Sequence, residues 1–228
     1  MSMSKLRAGL ASYPDWILDE TAGLNIEQLA FAAQEPGWAR WSIDLQVRHM
    51  AMGAPNWLYL RGRDTVRAAG YDFPPTAETL ADIRRAKGRH VPPEVAPHRE
   101  AIIALMRPWS DLCCAIIDRE SPEGLAAKLV GDDSPYTRYA DVKGHRPGDP
   151  KEQAGYNRIL ARLHPSGFTE DSHRPGAFTV NLGAGLRTIY WEILAHLRNI
   201  QRIKKLLDLP AVLELPREGY LTIPEFYD

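Results

Sequence analysis

Residues 37–50 read GWARWSIDLQVRHM, and the second long helix of the chain, predicted over residues 42–61, begins inside this stretch. Apolar residues cover two sides of that helix, which predicts that it is well buried. Between the two apolar sides runs a row of Ser42, Gln46, His49 and Gly53, spaced i, i+4, i+7 and i+11. A polar row on a buried helix must meet hydrogen-bond partners, water or a ligand. His49 is therefore a candidate for binding.

The last long helix, predicted over residues 186–209, has the same kind of row. Glu192, His196 and Asn199 lie at i, i+4 and i+7 beside a stripe of isoleucines. A glutamate and a histidine at i, i+4 can bind one metal ion from a single helix, and His49 on a facing helix could be the third ligand. Two simpler interpretations stay open. The histidines are hydrogen-bonded core residues, or Glu192 pairs with Arg48 or Arg187.

Composition limits the class of protein. The 228 residues are 44% hydrophobic and 25% charged, with a net charge of -1, as in an ordinary globular chain. The sequence shows no basic excess, which argues against nucleic-acid binding, and no apolar run long enough to cross a membrane. The N-terminus lacks a signal-peptide core, and the only cysteines are the adjacent Cys113 and Cys114. We therefore expect a reduced, cytoplasmic protein.

The hydrophobic periodicity predicts an all-α fold in one domain over residues 1–228. Four long helices are expected near residues 5–20, 42–61, 95–119 and 186–209, which indicates a four-helix bundle. Pro55 predicts a kink or break near Gly53, and Pro108 a bend in the third helix. Residues 131–185 are rich in Gly, Pro, Asp and Ser and are expected to form a long irregular insertion around one helix. The best strand candidate is YLTI, residues 220–223.

Two stretches resemble the DinB/YfiT-like metal-binding superfamily. In that superfamily a Trp-Ser pair opens the second helix and a metal-binding histidine follows eight residues after the Trp, as Trp41, Ser42 and His49 do here. The stretch YWEILAHLRNIQRI resembles its last metal-binding helix, in which Trp-His is followed by three further residues and then a second His. His196 matches the second histidine of that motif. Glu192 stands where the motif has the first histidine.

The resemblance implies a four-helix bundle that holds a divalent metal at one end of its core. Two histidines and one carboxylate suit zinc, nickel, iron or manganese, and a low-molecular-weight thiol is a possible second cofactor. The expected function is a metal-dependent transferase of the thiol S-transferase type, or a hydrolase, acting on a small molecule. His49, Glu192 and His196 would be the ligands. Gln46 and Asn199 would orient the ligands or the substrate.

Two other hypotheses remain at this point. The chain can instead be a non-enzymatic helical bundle that binds a small molecule or forms a homodimer, with a degenerate metal site. A catalytic site can also lie in the insertion, which contains His145, His164 and His173. Loop histidines beside Gly and Pro are more often simply solvated, so this second hypothesis is the weaker of the two.

Overall fold

The fold is mostly helical, with one small three-stranded sheet. The computed structural model describes residues 1–34, 37–86, 88–130, 159–170, 172 and 178–223. No helix within these ranges is long and apolar enough to cross a membrane. The α-helices are α1 (Met3–Glu20), α2 (Ile26–Ala30), α3 (Ile43–Met50), α4 (Arg63–Ala68), α5 (Ala77–Arg85), α6 (Arg99–Arg119), α7 (Pro122–Ala127) and α8 (Leu182–Leu206). A π-helix spans Pro55–Arg61, and 3-10 helices span Gly37–Arg40 and Gly219–Thr222.

Four of these helices form a ring around the core. Helix α1 packs against α6 and α8, and α3 packs against the same two helices. The contact between α1 and α8 is close at Gly9, where a Cβ atom would overlap the ring of Tyr190. Large side chains that are fully buried between the elements include Tyr13, Trp57 and Trp109. The predicted all-helical class is therefore correct at the level of secondary-structure content.

The second predicted helix is interrupted as Pro55 indicated. Helix α3 ends at Met50, residues 51–52 form a turn, and the π-helix begins at Pro55. Proline has no N–H group to donate to the preceding turn, so a regular α-helix cannot pass through it unchanged. The sequence did not indicate that the segment after the break would be a π-helix.

Two other long helices begin elsewhere than predicted, because capping residues set their first turns. Helix α6 begins at Arg99 rather than near residue 95, and the His98 side chain accepts a hydrogen bond from the Ala101 N–H. Helix α8 begins at Leu182, four residues before the predicted start, because Asn181 Oδ1 accepts from the Ala184 N–H at 2.8 Å.

The small sheet corrects the prediction for the segment before α8. Strands β1 (Leu129–Val130), β2 (Phe168–Glu170) and β3 (Phe178–Asn181) pair in the antiparallel order β1-β3-β2. The described part of the 131–185 region thus contains strands rather than only irregular chain. Residues 159–163 are helical and agree with the end of the one helix expected in this region. Residues 131–158, 171 and 173–177 lie outside the described residues, so the rest of that helix stays a prediction. The YLTI strand prediction was wrong, because those residues lie mostly in the 3-10 helix Gly219–Thr222.

A buried ion pair joins the first helix, the last helix and the C-terminal segment. Glu20, at the end of α1, has no exposed surface, and its Oε1 accepts from Lys204 Nζ on α8 at 2.6 Å. Its carboxylate also accepts from Gln201 Nε2 at 3.1 Å and from the backbone N–H groups of Val212 and Leu213. Each oxygen thus has several donors, which offsets the cost of burying the charge.

Replacing Glu20 by Ala should be strongly destabilising. The substitution leaves the Lys204 ammonium buried without its counter-ion, and breaking a buried pair in this way costs about 3–5 kcal/mol. Urea denaturation measures the loss. The matched control is Asp15→Ala on the same helix, which breaks the exposed pair with Arg107 and should cost less than about 1 kcal/mol. Equal small losses in the two variants would show that the buried pair does not hold these elements together.

Candidate metal centre

His49 lies in the last turn of α3 with one ring nitrogen occupied. Ser42 caps this helix by accepting from the Leu45 N–H, so the helix begins at Ile43 and carries His49 to its last turn. His49 Nδ1 lies 2.7 Å from the backbone carbonyl oxygen of Arg89. A carbonyl can only accept, so Nδ1 carries the proton and Nε2 carries the lone pair.

His196, on α8, is held in the same tautomer by Gln46. The amide nitrogen of Gln46 donates to the Trp41 carbonyl at 3.3 Å, which fixes the orientation of the amide. The amide oxygen then faces His196 Nδ1 and accepts its proton. His196 Nε2 is therefore the unprotonated nitrogen. Gln46 is completely buried, so this hydrogen bond is shielded from water.

The two imidazole rings lie side by side next to one indole ring. The centroids of His49 and His196 are 4.8 Å apart, with the planes at 59°. Two imidazoles that share an ion at bond lengths of about 2.0–2.1 Å have centroids about 5 Å apart. Trp41 packs 4.8 Å from His49 and is parallel to the ring of His196. The spacing of the two histidines is therefore that of a shared ligand pair.

Glu192 lies one turn before His196 on α8 and is half-buried. Its Oε2 atom is 3.8 Å from the position that a Cβ atom on Gly53 would occupy, so the carboxylate faces the end of the polar row on the second helix. In the described ranges, no three His, Cys, Asp or Glu side chains lie close enough together to hold an ion as they stand. The structure thus brings His49 and His196 together but leaves Glu192 outside a three-ligand group.

Asn199, the other residue of the α8 row, contacts the chain before α3. Its amide Nδ2 donates to the backbone carbonyl of Ala39 at 3.2 Å, and its side chain is buried. Ala39 belongs to the 3-10 helix Gly37–Arg40, which leads directly into Trp41. Asn199 therefore holds the segment that positions the indole ring. This contact occupies the amide nitrogen that was expected to orient a ligand or substrate.

Arg48 is buried on α3 and fixes the loop that follows α5. Its Nε atom forms an ion pair with Asp44 at 2.7 Å, and its Nη1 atom donates to the carbonyls of Val91 and Ala96. In return the Val91 N–H donates to the Arg48 carbonyl. We call residues 88–91 the clamped loop. These contacts engage the Nε and Nη1 atoms of Arg48 with partners other than Glu192.

The clamped loop carries a histidine that the sequence patterns did not indicate. The ring of His90 meets Trp41 edge-on at 4.5 Å and lies 5.7 Å from the ring of His49. Its Nε2 atom is buried and has no hydrogen-bond partner in the described part of the chain. Periodicity could not identify this residue, because it lies outside any helix. Its place depends on hydrogen bonds from Arg48, more than 40 residues earlier in the sequence.

Burial keeps the histidines of this site neutral. Desolvation lowers the pKa of His49 well below its usual value, and the nearby His196 lowers it further. Desolvation also lowers the pKa of His196 to about 3, with a smaller contribution from His90. Both rings therefore keep an unprotonated nitrogen at neutral pH. An unprotonated imidazole is the form that binds a cation.

His164, one of the three insertion histidines considered for a catalytic site, is a core residue. It is buried, with its ring stacked 4.3 Å from Trp191 and 5.5 Å from Phe168, and its Nε2 lies 3.5 Å from Thr188 Oγ1. These contacts with two aromatic rings and one buried hydroxyl are those of a packed core histidine. The other two histidines of that hypothesis, at positions 145 and 173, lie outside the described residues.

Comparison of the chain with models of known protein families, with curated proteins and with solved structures gave no match.

The stability of the protein should fall as His164 becomes protonated. Burial lowers the pKa of His164 to about 3, whereas an unfolded chain has a histidine pKa of about 6.5. As the pH falls below about 6.5, the unfolded state binds the proton first, so stability present at neutral pH is lost toward pH 3. The loss is about 1.4 kcal/mol per pH unit within this window.

His164→Gln removes this titrating group and should flatten that part of the profile. The measurement is the free energy of unfolding in urea at a series of pH values from 8 down to about 4. The wild type should lose stability relative to the variant on acidification, with the difference largest at the acid end. Parallel curves for the two proteins would contradict the assignment of His164 as a buried neutral histidine.

Proposed function

We propose that the protein is a metal-dependent transferase or hydrolase that acts on a small molecule, with a divalent cation held by His49, His196 and Glu192. The observation that carries this proposal is the pair of histidines with centroids 4.8 Å apart. Each presents its Nδ1 to an oxygen acceptor and so keeps an unprotonated Nε2. Glu192 lies one turn from His196, within reach of the same region after a change of side-chain rotamer.

We further propose that the ring of α1, α3, α6 and α8 is a four-helix bundle of the DinB/YfiT-like type, within a single domain. The packing of each helix against two others supports this architecture. Ligands from α3 and α8 would then come from facing helices of the core, the usual arrangement for metal sites in bundles. The region around residues 131–185 would be an insertion in this domain.

The residues around the two histidines would act by fixing the ligands. The Arg89 carbonyl and Gln46 hold the Nδ1 protons, which orients each ring and makes Nε2 a better donor. The Glu192 carboxylate would balance part of the charge of the cation. Two nitrogens and one oxygen suit zinc, nickel, iron or manganese. Trp41 covers one side of the ring pair and limits access of water.

The proposed chemistry needs a divalent cation with an open coordination position. Such a cation acts as a Lewis acid that lowers the pKa of a thiol or of water, which suits either a thiol transferase or a hydrolase. The protein would hold the reacting groups beside it. A low-molecular-weight thiol is the proposed second cofactor of the transferase. The proposed location is the cytoplasm, because such thiols are kept reduced there.

One observation favours a different class of function. In the described residues no three candidate ligands lie in reach of a single ion as they stand. A helical protein that binds a small molecule without catalysis, or that forms a homodimer, would not need the three side chains to close around an ion. Under this alternative the histidine pair is a hydrogen-bonded part of the core, and the wild-type protein binds no divalent metal.

Replacing His49 by Ala should remove metal from the purified protein. Elemental analysis of the wild type should find about one divalent ion per chain, and the variant should contain almost none, because a site of three protein ligands loses one. His164→Gln is the control, since it changes a buried histidine outside the site and should keep the ion. The destabilisation caused by His49→Ala should also shrink after a chelator strips both proteins. A wild type that binds no zinc, nickel, iron or manganese contradicts the proposal.

Binding of a thiol separates the two proposed reactions. Cobalt-loaded wild-type protein titrated with 2-mercaptoethanol should develop the near-ultraviolet charge-transfer absorption of a cobalt–thiolate bond, because the open position accepts the thiolate. His49→Ala should not develop this band under the same conditions. A cobalt-loaded wild type without the band would exclude the thiol transferase and favour the hydrolase.

A further inference from the structure

The side chain of Asn56 carries a buried oxygen that has no hydrogen-bond partner. Its Oδ1 atom accepts no hydrogen bond from the described residues, although the residue as a whole is only half-buried. A buried acceptor without a donor destabilises the fold unless water or a ligand supplies one. Asn56 is the second residue of the π-helix Pro55–Arg61, and π-helical turns are frequent at functional sites. The oxygen is therefore a candidate contact for a ligand.

Asn56 lies one helical turn beyond Gly53 on the second helix. The Asn56 N–H donates to the Met52 carbonyl at 3.0 Å, so the backbone between these two residues is helical. Residues three apart in a helix are neighbours on its surface, and three residues advance by about 4.5 Å along the axis. Asn56 thus extends the polar row that contains His49 and Gly53.

The segment that carries Asn56 runs antiparallel to α8. Three contacts define the boundary between the two: His49 with His196, Gly53 with Glu192, and Trp57 with Gly185. The centroids of the two histidine rings are 4.8 Å apart. Glu192 Oε2 and Trp57 Cε3 lie 3.8 Å and 3.5 Å from the position that a Cβ atom on the facing glycine would occupy. Because Asn56 follows Gly53 and precedes Trp57, it lies between the second and third of these contacts.

The lack of a side chain at Gly53 leaves space between the histidine pair and Asn56. Apart from the backbone next to it, Glu192 Oε2 is the one atom of the described residues within 4 Å of the position that a Cβ atom on Gly53 would take. In contrast, a Cβ atom on Gly9 would overlap the ring of Tyr190 where α1 meets α8. A small group can therefore lie over Gly53, beside the Glu192 carboxylate and one turn from the Asn56 oxygen.

We infer that the space over Gly53 binds the NH₂ group of a small primary amide, which donates one hydrogen bond to Asn56 Oδ1 and one to Glu192 Oε2. Both oxygens can only accept, so the ligand needs two donors, and a hydroxyl group has one. The inference takes its site from the proposed function and adds a class of ligand. It needs no ion, so it applies equally to a protein that binds a small molecule without catalysis.

A cationic donor fits this space less well than a neutral amide. The positive charge of Arg84 already acts on His49, at the other end of the space. An ammonium group would add a second positive charge there, and like charges repel strongly where water is excluded. The amide supplies both protons without that cost.

The test is an NMR titration of the isotopically labelled, metal-free protein with acetamide and with acetone, which has a methyl group in place of the NH₂ group. The signal of the Gly53 N–H reports binding. The proteins compared are the wild type, Asn56→Leu and the control Thr76→Val. Thr76 Oγ1 is another buried oxygen without a partner in the described residues, and it lies at the start of α5, whereas the clamped loop follows the end of α5. Both substitutions replace an unpaired polar group by an apolar one of similar size.

Acetamide should bind to the wild type at least about 10-fold more tightly than acetone, because each net hydrogen bond raises affinity about 3–10-fold. Asn56→Leu should lower the affinity for acetamide about 3–10-fold and leave that for acetone unchanged, whereas Thr76→Val should change neither. Without ligand, Asn56→Leu should unfold at the same temperature as the wild type or a higher one, since it removes an unpaired buried oxygen. Asn56→Ala is the second variant if the leucine variant does not fold.

Three outcomes would overturn the inference. They are equal affinities of the wild type for acetamide and acetone, an unchanged affinity for acetamide in Asn56→Leu and Asn56→Ala, and tighter binding of methylammonium than of acetamide. None of them bears on the metal content of the wild type, by which the proposed function is judged. If acetamide binds as expected to a protein that takes up no divalent metal, the inference stands and the proposed function fails.

Discussion

The burial of α8 along most of its length is the constraint on which the rest of the structure depends. A buried helix cannot leave polar side chains without partners, so each polar group on it requires a group from another element. Lys204 and Gln201 contact Glu20 at the end of α1. Closer to the start of α8, His196 contacts Gln46 on α3. The same requirement that joins α8 to the first helix therefore places a histidine against the second one.

Helix α3 follows the same rule through Arg48. A guanidinium cannot be buried without acceptors, and the nearest acceptors outside its own helix are the carbonyls of the segment after α5. Pairing Arg48 with that segment brings the Arg89 carbonyl to His49 and the ring of His90 to the same side of the core. The histidines therefore lie together because the buried guanidinium of Arg48 needs hydrogen-bond acceptors. Their arrangement does not require the helix to continue through residues 51–61.

Signals that act over a few residues could be read from the sequence, and signals that act across the fold could not. The interruption before Pro55 is present, because it depends only on residues close to the proline in the chain. The sequence predicted the start of α8 four residues too late. Glycines in its first turn favoured an irregular segment there, whereas the structure is helical from Leu182. At the site, periodicity identified His49 but not His90, which is placed by contacts of long sequence separation.

The charges of the candidate centre favour one class of substrate group. Burial lowers the pKa of His49 and of His196, so both are neutral, and under the proposed function a divalent cation is balanced only by Glu192, which leaves one positive charge. Arg84 adds to the positive potential at His49, where it helps to lower the pKa. A net positive charge in a desolvated site is costly, and an anionic ligand at the open position would neutralise it. A thiol meets that requirement once the cation has lowered its pKa and it has released its proton to bind as the thiolate. Charge balance therefore favours a substrate or cofactor that binds as an anion.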